Sequence, residues 1–207
     1  MNVHRRVFLA LALMLGAGNA STAEDVAGIW SAQVRSKGGL GFQWVFKDAE
    51  AAMTFGALVD FKYTIEGNRI TMTNTLDPAG RGDAIIEEFV IDGDTMTQTH
   101  PGMPGAEKTL RRTGAPYPDA HPIIGEWTYR HPTGPAAFVR YSRDGTVQLS
   151  IPFQTIKGSY RLNGKVLEVD LQGGPRTAFD ANREGRPLAL TERGSRNKIS
   201  GFSKFEY

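Results

Sequence analysis

The sequence predicts an all-β protein made of two similar antiparallel units in tandem, each a small barrel or a flattened sandwich. Three observations predict this fold class. Short β-branched and aromatic runs are separated by turn residues, hardly any segment has a helical pattern, and one set of landmarks occurs twice. The clearest landmarks are Gly28-Ile29-Trp30 and Gly125-Glu126-Trp127, each of which opens a strand-like segment.

The first 23 residues have the pattern of a secretory signal peptide. Arg5 and Arg6 precede an apolar stretch, and small residues follow up to Ala23. The apolar stretch is shorter than the roughly 20 residues that a membrane-spanning helix needs. We therefore expect an exported protein, periplasmic or secreted, with no transmembrane segment in the mature chain.

Charge and cysteine content exclude several classes of function. The chain has 24 Lys and Arg against 22 Asp and Glu, and two of the arginines lie in the predicted signal peptide. The remainder is neutral by count, so it offers no electrostatic reason to expect nucleic acid as a partner. The absence of cysteine excludes disulfides and thiolate chemistry.

The first half, residues 24–113, reads as a series of strands and tight turns. Gly67-Asn68 and Asp92-Gly93-Asp94 are typical of hairpins, because these residues tolerate positive φ. One short patch, residues 48–52, is helix-prone, and we expect a turn of helix there. The predicted strands are 26–34, 42–47, 58–65, 69–75, 84–91, 95–99 and 107–112.

A proline-rich segment, residues 114–123, separates the halves, because three prolines oppose a continuous helix or a central strand. The second half, residues 124–207, repeats the order of the first. The same 97-residue offset separates Trp30 from Trp127 and Tyr63 from Tyr160. Two architectures stay open: each half closes as its own unit, which we favour, or both halves contribute strands to one larger β-structure.

The landmarks resemble those of the lipocalin-like families of the calycin kind, especially small bacterial members. The resemblance rests on the Gly-x-Trp opening, the Tyr-x-Ile/Leu hairpin with Gly and Asn, and a basic residue near the last strand. It implies that each Trp lies at the closed end of a barrel under a cation, which would be Arg111 or Arg112 for Trp30 and Lys204 for Trp127. Gly28, Trp30, Arg112, Gly125, Trp127 and Lys204 are therefore expected to be structural.

Aromatic residues of the first half are the candidate ligand-binding set. Inward-facing aromatic side chains can line a cavity for a small apolar ligand, although they can also simply fill a small barrel. The candidates are Phe42, Trp44, Phe46, Phe61 and Tyr63. Trp44 has no counterpart in the second half, which favours the first unit for binding.

Ionisable residues show no catalytic or metal-binding pattern. The adjacent Glu87 and Glu88 should point to opposite faces of a strand, so that one of them faces inward or pairs with a cation. Each of His100, His121 and His131 precedes proline, which is typical of loops and strand ends. We expect no catalytic residues, metal or cofactor.

The leading functional hypothesis is an exported protein that binds a small, largely apolar ligand. One alternative is an enzyme that acts on such a ligand in a barrel mouth. Another is an envelope accessory protein that binds a protein partner through its sheet surface.

Overall fold

Strands make up nearly all of the regular structure in the computed structural model, which describes residues 26–75, 84–103, 105–183, 187–195 and 198–207. The predicted signal peptide lies outside the described residues. No helix in the described part of the chain has the length and apolar character to cross a membrane. The strands are β1 Gly28–Ala32, β2 Leu40–Lys47, β3 Glu50–Glu66, β4 Arg69–Asn74, β5 Ile85–Asp92, β6 Thr95–Thr99, β7 Lys108–Thr113, β8 Gly125–Arg130, β9 Ala136–Tyr141, β10 Thr146–Asn163, β11 Val166–Leu171, β12 Thr177–Asn182, β13 Leu188–Glu192 and β14 Lys198–Phe205.

All fourteen strands join in one closed antiparallel ring, which confirms the all-β, barrel-like fold class. Each strand pairs with its neighbours in sequence, and β1 pairs with β14 to close the ring. The two long strands, β3 and β10, also pair with each other across the ring. This cross-pairing divides the ring into two closed circuits.

We name the two circuits lobe A and lobe B. Lobe A contains β1, β2, the first part of β3, the second part of β10, and β11 to β14. Lobe B contains the second part of β3, β4 to β9, and the first part of β10. Each lobe is therefore an eight-stranded circuit, and β3 and β10 belong to both.

Both halves of the chain contribute strands to one larger β-structure, which is the second of the two architectures that the sequence leaves open. Lobe A combines the start of the chain with its end, while lobe B is built from the middle. The sheet also continues across the predicted linker, because β7 pairs with β8. The division at residues 113 and 124 therefore marks the sequence repeat and not a break in the sheet.

Each lobe has its own hydrophobic core. The lobe A core includes Trp30, Phe46 and Leu167, and the lobe B core includes Trp127, Met96 and Leu110; all six side chains are fully buried. Inward and outward residues alternate along the strands as the period of a β-strand requires. Each core therefore draws on residues from both halves of the sequence.

The predicted helical turn at residues 48–52 is wrong. Asp48 and Ala49 form a two-residue turn between β2 and β3, with Lys47 paired to Glu50. Both turn residues have positive φ, 49° and 66°, as a type I′ hairpin requires. The right-handed twist of the flanking strands favours this turn even without Gly or Asn, and it overrides the local helix propensity.

Polar side chains join the outer faces of the two lobes. Ser31 and Gln43 of lobe A donate hydrogen bonds to Oε1 of Gln148 on β10, at 3.1 and 2.9 Å. The Gln148 amide donates in turn to Asp60, which forms a 2.9 Å ion pair with Arg35. Buried polar groups need such partners, so this network sets how the two lobes meet.

Candidate ligand-binding cavities

The two signature tryptophans close equivalent ends of the lobes. Trp30 and Trp127 are fully buried, and each indole N–H donates a 2.7 Å hydrogen bond to the carbonyl four residues earlier, Val26 or Ile123. Those two residues are buried as well. Each lobe is therefore closed at one end by a tryptophan and the segment that precedes its strand.

The cations over the tryptophans are exchanged relative to the sequence prediction. The Arg112 guanidinium lies 4.1 Å from the Trp127 ring, and the Lys204 ammonium lies 5.6 Å from the Trp30 ring, which Arg183 also approaches. The reason is the strand pairing, because β7 lies beside β8 and β14 lies beside β1. The residue types were predicted, and their partners follow from the exchange of strands between the halves.

The glycine of each Gly-x-Trp motif makes room for its cation. Gly28 and Gly125 have φ of 128° and 129°, a backbone conformation that residues with a Cβ rarely adopt. A Cβ on Gly28 would lie 2.7 Å from Cε of Lys204, and one on Gly125 would lie 3.2 Å from Nη1 of Arg112. The motif is thus a physical unit of glycine, tryptophan and a cation from the neighbouring strand.

Lobe A contains an apolar cavity of about 320 Å³. Its wall is formed by side chains of β2, β3 and β10 to β12, together with the turn after β11. Trp44 stacks on Phe46 at a ring distance of 5.5 Å and contacts Phe179 edge-on at 6.5 Å. The apolar side chains of the wall are Trp44, Met53, Ile156, Val169, Leu171, Pro175 and Phe179.

Three exposed phenylalanines extend the apolar face of lobe A beyond this cavity. Phe42 pairs with Phe55 across β2 and β3, two residues along each strand from the Trp44–Met53 pair and on the same face of the sheet. The rings of Phe42 and Phe55 are 5.2 Å apart. Phe153, 59% exposed, contacts Phe55 at 6.3 Å from a position where the β3–β10 register shifts. The irregularity turns an extra aromatic side chain toward this edge, which extends the apolar surface from the cavity to solvent.

Lobe B contains a smaller cavity of about 100 Å³ that is partly polar. Glu87 lies in its wall with only 8% of its side chain exposed, and its Oε1 is 2.6 Å from the Lys108 ammonium. Gln98 donates a 2.8 Å hydrogen bond to the Tyr141 hydroxyl. Burial raises the pKa of Tyr129, and the Glu87 charge raises it further, so Tyr129 keeps its proton.

The cavities differ because two equivalent positions carry different residues. The residue opposite each signature tryptophan is Trp44 in lobe A and Val139 in lobe B. The residue opposite Leu167 is Phe179 in lobe A, whereas Glu87 lies opposite the equivalent Ile70 in lobe B. The position of Phe179 in lobe A is therefore aromatic, whereas the equivalent position in lobe B carries the carboxylate of Glu87.

The structure distributes the five predicted ligand-binding residues over three places. Trp44 lines the lobe A cavity, Phe46 packs beneath it in the core, and Phe42 lies exposed beyond it. Phe61 and Tyr63 belong to lobe B, where Phe61 lines the smaller cavity. They are separated because β3 leaves lobe A and enters lobe B between residues 57 and 61.

Sequence reasoning missed the second-half residues of the lobe A cavity, among them Ile156, Leu171 and Phe179. They lie more than a hundred residues from Trp44 in the sequence, and the pairing of β3 with β10 and of β1 with β14 brings them together. One of the two adjacent glutamates was predicted to face inward or to pair with a cation, and Glu87 does both. Glu88 lies on the outer face, 3.7 Å from Arg69.

No protein-family model, curated protein or solved structure matches this chain.

A polar cleft of about 370 Å³ lies between the lobes, and several of its polar side chains are paired within the protein. Arg35 pairs with Asp60, and Arg143 donates to the Pro118 carbonyl. Burial alone would raise the pKa of Asp144, but hydrogen bonds from Ser142 and Thr146 outweigh it and hold the pKa below its usual value. These contacts assign the cleft a structural role in joining the lobes.

Alkaline pH is expected to destabilise the protein in part through Tyr63. Its hydroxyl donates a 2.7 Å hydrogen bond to the Ser142 carbonyl, and burial, with a smaller contribution from Asp144, raises its pKa to about 12. The unfolded pKa is about 10. This stabilisation is therefore fully present below about pH 10 and is lost as the pH rises through about 12.

Urea unfolding at increasing pH measures this contribution. Tyr63→Phe keeps the ring contact with Tyr141 and removes the ionisation, so the variant should lose less stability than the wild type between pH 9 and pH 12. Equal losses in the two proteins would show that Tyr63 does not titrate in this way.

Proposed function

We propose that this chain is an exported protein that binds a small, largely apolar molecule inside lobe A. The observation that carries the proposal is the cavity of about 320 Å³ lined by Trp44, Met53, Leu171 and Phe179. Ligand pockets of proteins begin at about 300 Å³ and are lined mainly by apolar and aromatic side chains. The basic, then apolar, then small-residue pattern of residues 1–23 supports export.

The chemistry of the wall selects the class of ligand. The side chains of the wall carry no charge, and its polar members are the side chains of Gln172 and Thr177 with the backbone of the turn between them. A charged group would lose its hydration without gaining a counter-ion, which costs several kcal/mol. The ligand is therefore neutral where it enters lobe A, and apolar or aromatic in its buried part.

The three exposed phenylalanines are placed to contact a ligand at the entrance of this cavity. Phe42 and Phe55 continue the face that carries Trp44 and Met53, and Phe153 adjoins them. A ligand longer than the cavity would contact these rings as it leaves lobe A. The alternative of an envelope partner draws less support, because the same rings have a role beside the cavity.

The proposal is tested with a neutral apolar fluorophore, N-phenyl-1-naphthylamine, and protein labelled with ¹³C at the methionine methyls. Met53 lines the lobe A cavity and Met72 lines the lobe B cavity, so their methyl resonances report the two sites separately. We expect the fluorophore to increase in emission and to shift the Met53 resonance but not that of Met72. Native mass spectrometry of the protein from its own host would identify a copurified ligand.

Two matched variants assign the site. Leu171→Phe places a ring in the lobe A cavity and should weaken fluorophore binding by about tenfold, a change of about 1.4 kcal/mol. Val139→Phe places a ring in the lobe B cavity and should leave binding unchanged. Equal affinities for Leu171→Phe and the wild type would reject lobe A as the binding site.

A further inference from the structure

The buried carboxylate of lobe B has one oxygen that the fold leaves unused. Oε1 of Glu87 is 2.6 Å from Lys108, whereas Oε2 has no hydrogen-bond partner among the described residues. The residue is 6% exposed and lies in the wall of the 100 Å³ cavity. A buried carboxylate oxygen without a donor is costly, and such groups are usually satisfied by protein, water or ligand.

A surface groove adjoins the cavity that contains this carboxylate. The groove, of about 470 Å³, is lined by Glu107, by the start of β7 and by the segment from Tyr129 to Pro132. Lys108 and Tyr129 line both the groove and the inner cavity, and the ammonium lies 6.0 Å from the Tyr129 ring. These two residues therefore lie between the outer groove and the cavity that contains Glu87.

We propose that the lobe B cavity is a second binding site, which takes a neutral hydroxyl group that donates a hydrogen bond to Oε2 of Glu87. A neutral donor fits because Lys108 already compensates the carboxylate charge. A cation would add an unbalanced charge to a largely apolar cavity, and an anion would face the free carboxylate oxygen. The hydroxyl belongs to a compact molecule, or to the tip of a larger one that lies in the outer groove.

The rest of the wall fits the apolar part of such a molecule. Phe61, Met72, Val139 and Leu149 line the same cavity as the carboxylate. Lobe A has Phe179 and Trp44 where lobe B has Glu87 and Val139, so both the polar group and the space are specific to lobe B. The two sites therefore take ligands of different chemistry, and this second proposal stands independently of the first.

Two isosteric probes, isopropanol and acetone, test the hydrogen bond. Isopropanol offers a donor and acetone only an acceptor, while their sizes are nearly equal. With ¹³C-methyl methionine labelling, isopropanol should shift the Met72 resonance in a saturable way. The dissociation constant from this titration should be at least tenfold lower for isopropanol than for acetone. Equal responses to the two probes, or no saturable response because ordered water holds the site, would overturn the proposal.

Two variants make the test specific to Glu87. Glu87→Gln can keep an oxygen acceptor for Lys108 but puts an N–H₂ donor in place of Oε2, so the preference should shift from isopropanol toward acetone. Val139→Phe keeps Glu87 and fills the cavity, and lobe A already has an aromatic residue, Trp44, at this position. The shifts of the Met72 resonance with isopropanol and with acetone should therefore both disappear. An unchanged preference in Glu87→Gln, with the Met53 and Met96 resonances retained as evidence of folding, would contradict the role of the carboxylate.

Discussion

Replacement of Trp30 by alanine is expected to lower the free energy of unfolding by roughly 3–5 kcal/mol. The indole is fully buried at the closed end of lobe A, and its N–H is bonded to Val26. The change would leave a cavity, an unpaired carbonyl and a Lys204 ammonium without its ring. Urea unfolding followed by circular dichroism measures the loss. Trp127→Ala should behave similarly, because Ile123 and Arg112 occupy the equivalent places.

Phe42→Ala is the matched control, since Phe42 is an aromatic residue in the same lobe that is 45% exposed. It should lower the free energy of unfolding by roughly 1–2 kcal/mol, less than Trp30→Ala, because nearly half of Phe42 is already exposed to water. A loss of similar size for Trp30→Ala and Phe42→Ala would exclude the role of Trp30 as the closing residue of the core.

Gly56→Ala is expected to destabilise the protein by about 3 kcal/mol, at the upper end of overpacking effects. Gly56 lies in β3 between Gly41 on β2 and Pro152 on β10. An added Cβ would lie 2.3 Å from the Ile151 carbonyl oxygen and 3.0 Å from Cα of Pro152. Both are backbone atoms, so the clash is relieved only by separating β3 from β10, which both lobes share.

Gly38→Ala provides the comparison for this substitution. Gly38 also lacks a positive φ, and its nearest neighbour to an added Cβ is the Ser36 hydroxyl at 3.9 Å. Its substitution should change the free energy of unfolding by less than about 1 kcal/mol. Equal stability of the two variants would mean that β3 and β10 do not pair as described. A selective loss in Gly56→Ala supports the exchange of strands between the halves.

Local patterns were sufficient to predict the strand-rich fold and several hairpins. Gly67-Asn68 lies in the turn between β3 and β4, and Asn163-Gly164 lies at the corresponding turn between β10 and β11. The reason is that the requirement for positive φ is local and can be read from residue type. The Asp48-Ala49 turn was missed because an alanine such as Ala49 rarely adopts positive φ and the segment is helix-prone, so that only the adjoining strand pairing selects this turn.

The candidate sites were predictable only in part. The sequence identified Trp44 as unusual and predicted that one of the two glutamates faces inward or pairs with a cation; Trp44 and Glu87 both line cavities. It assigned Phe61 and Tyr63 to the same site as Trp44, because residues 24–113 were expected to form one unit. Nothing in local propensity distinguishes a long strand within one barrel from a long strand shared by two.

The sequence by itself determined that this chain is all-β and that two of its landmarks repeat with a 97-residue offset. Only the tertiary structure decided which strands close each lobe, which cation covers which tryptophan, and which residues meet in each cavity. The physical reason is that turn geometry and alternation act over a few residues. The pairing of β3 with β10 joins residues almost a hundred positions apart, and it depends on burial of both cores together.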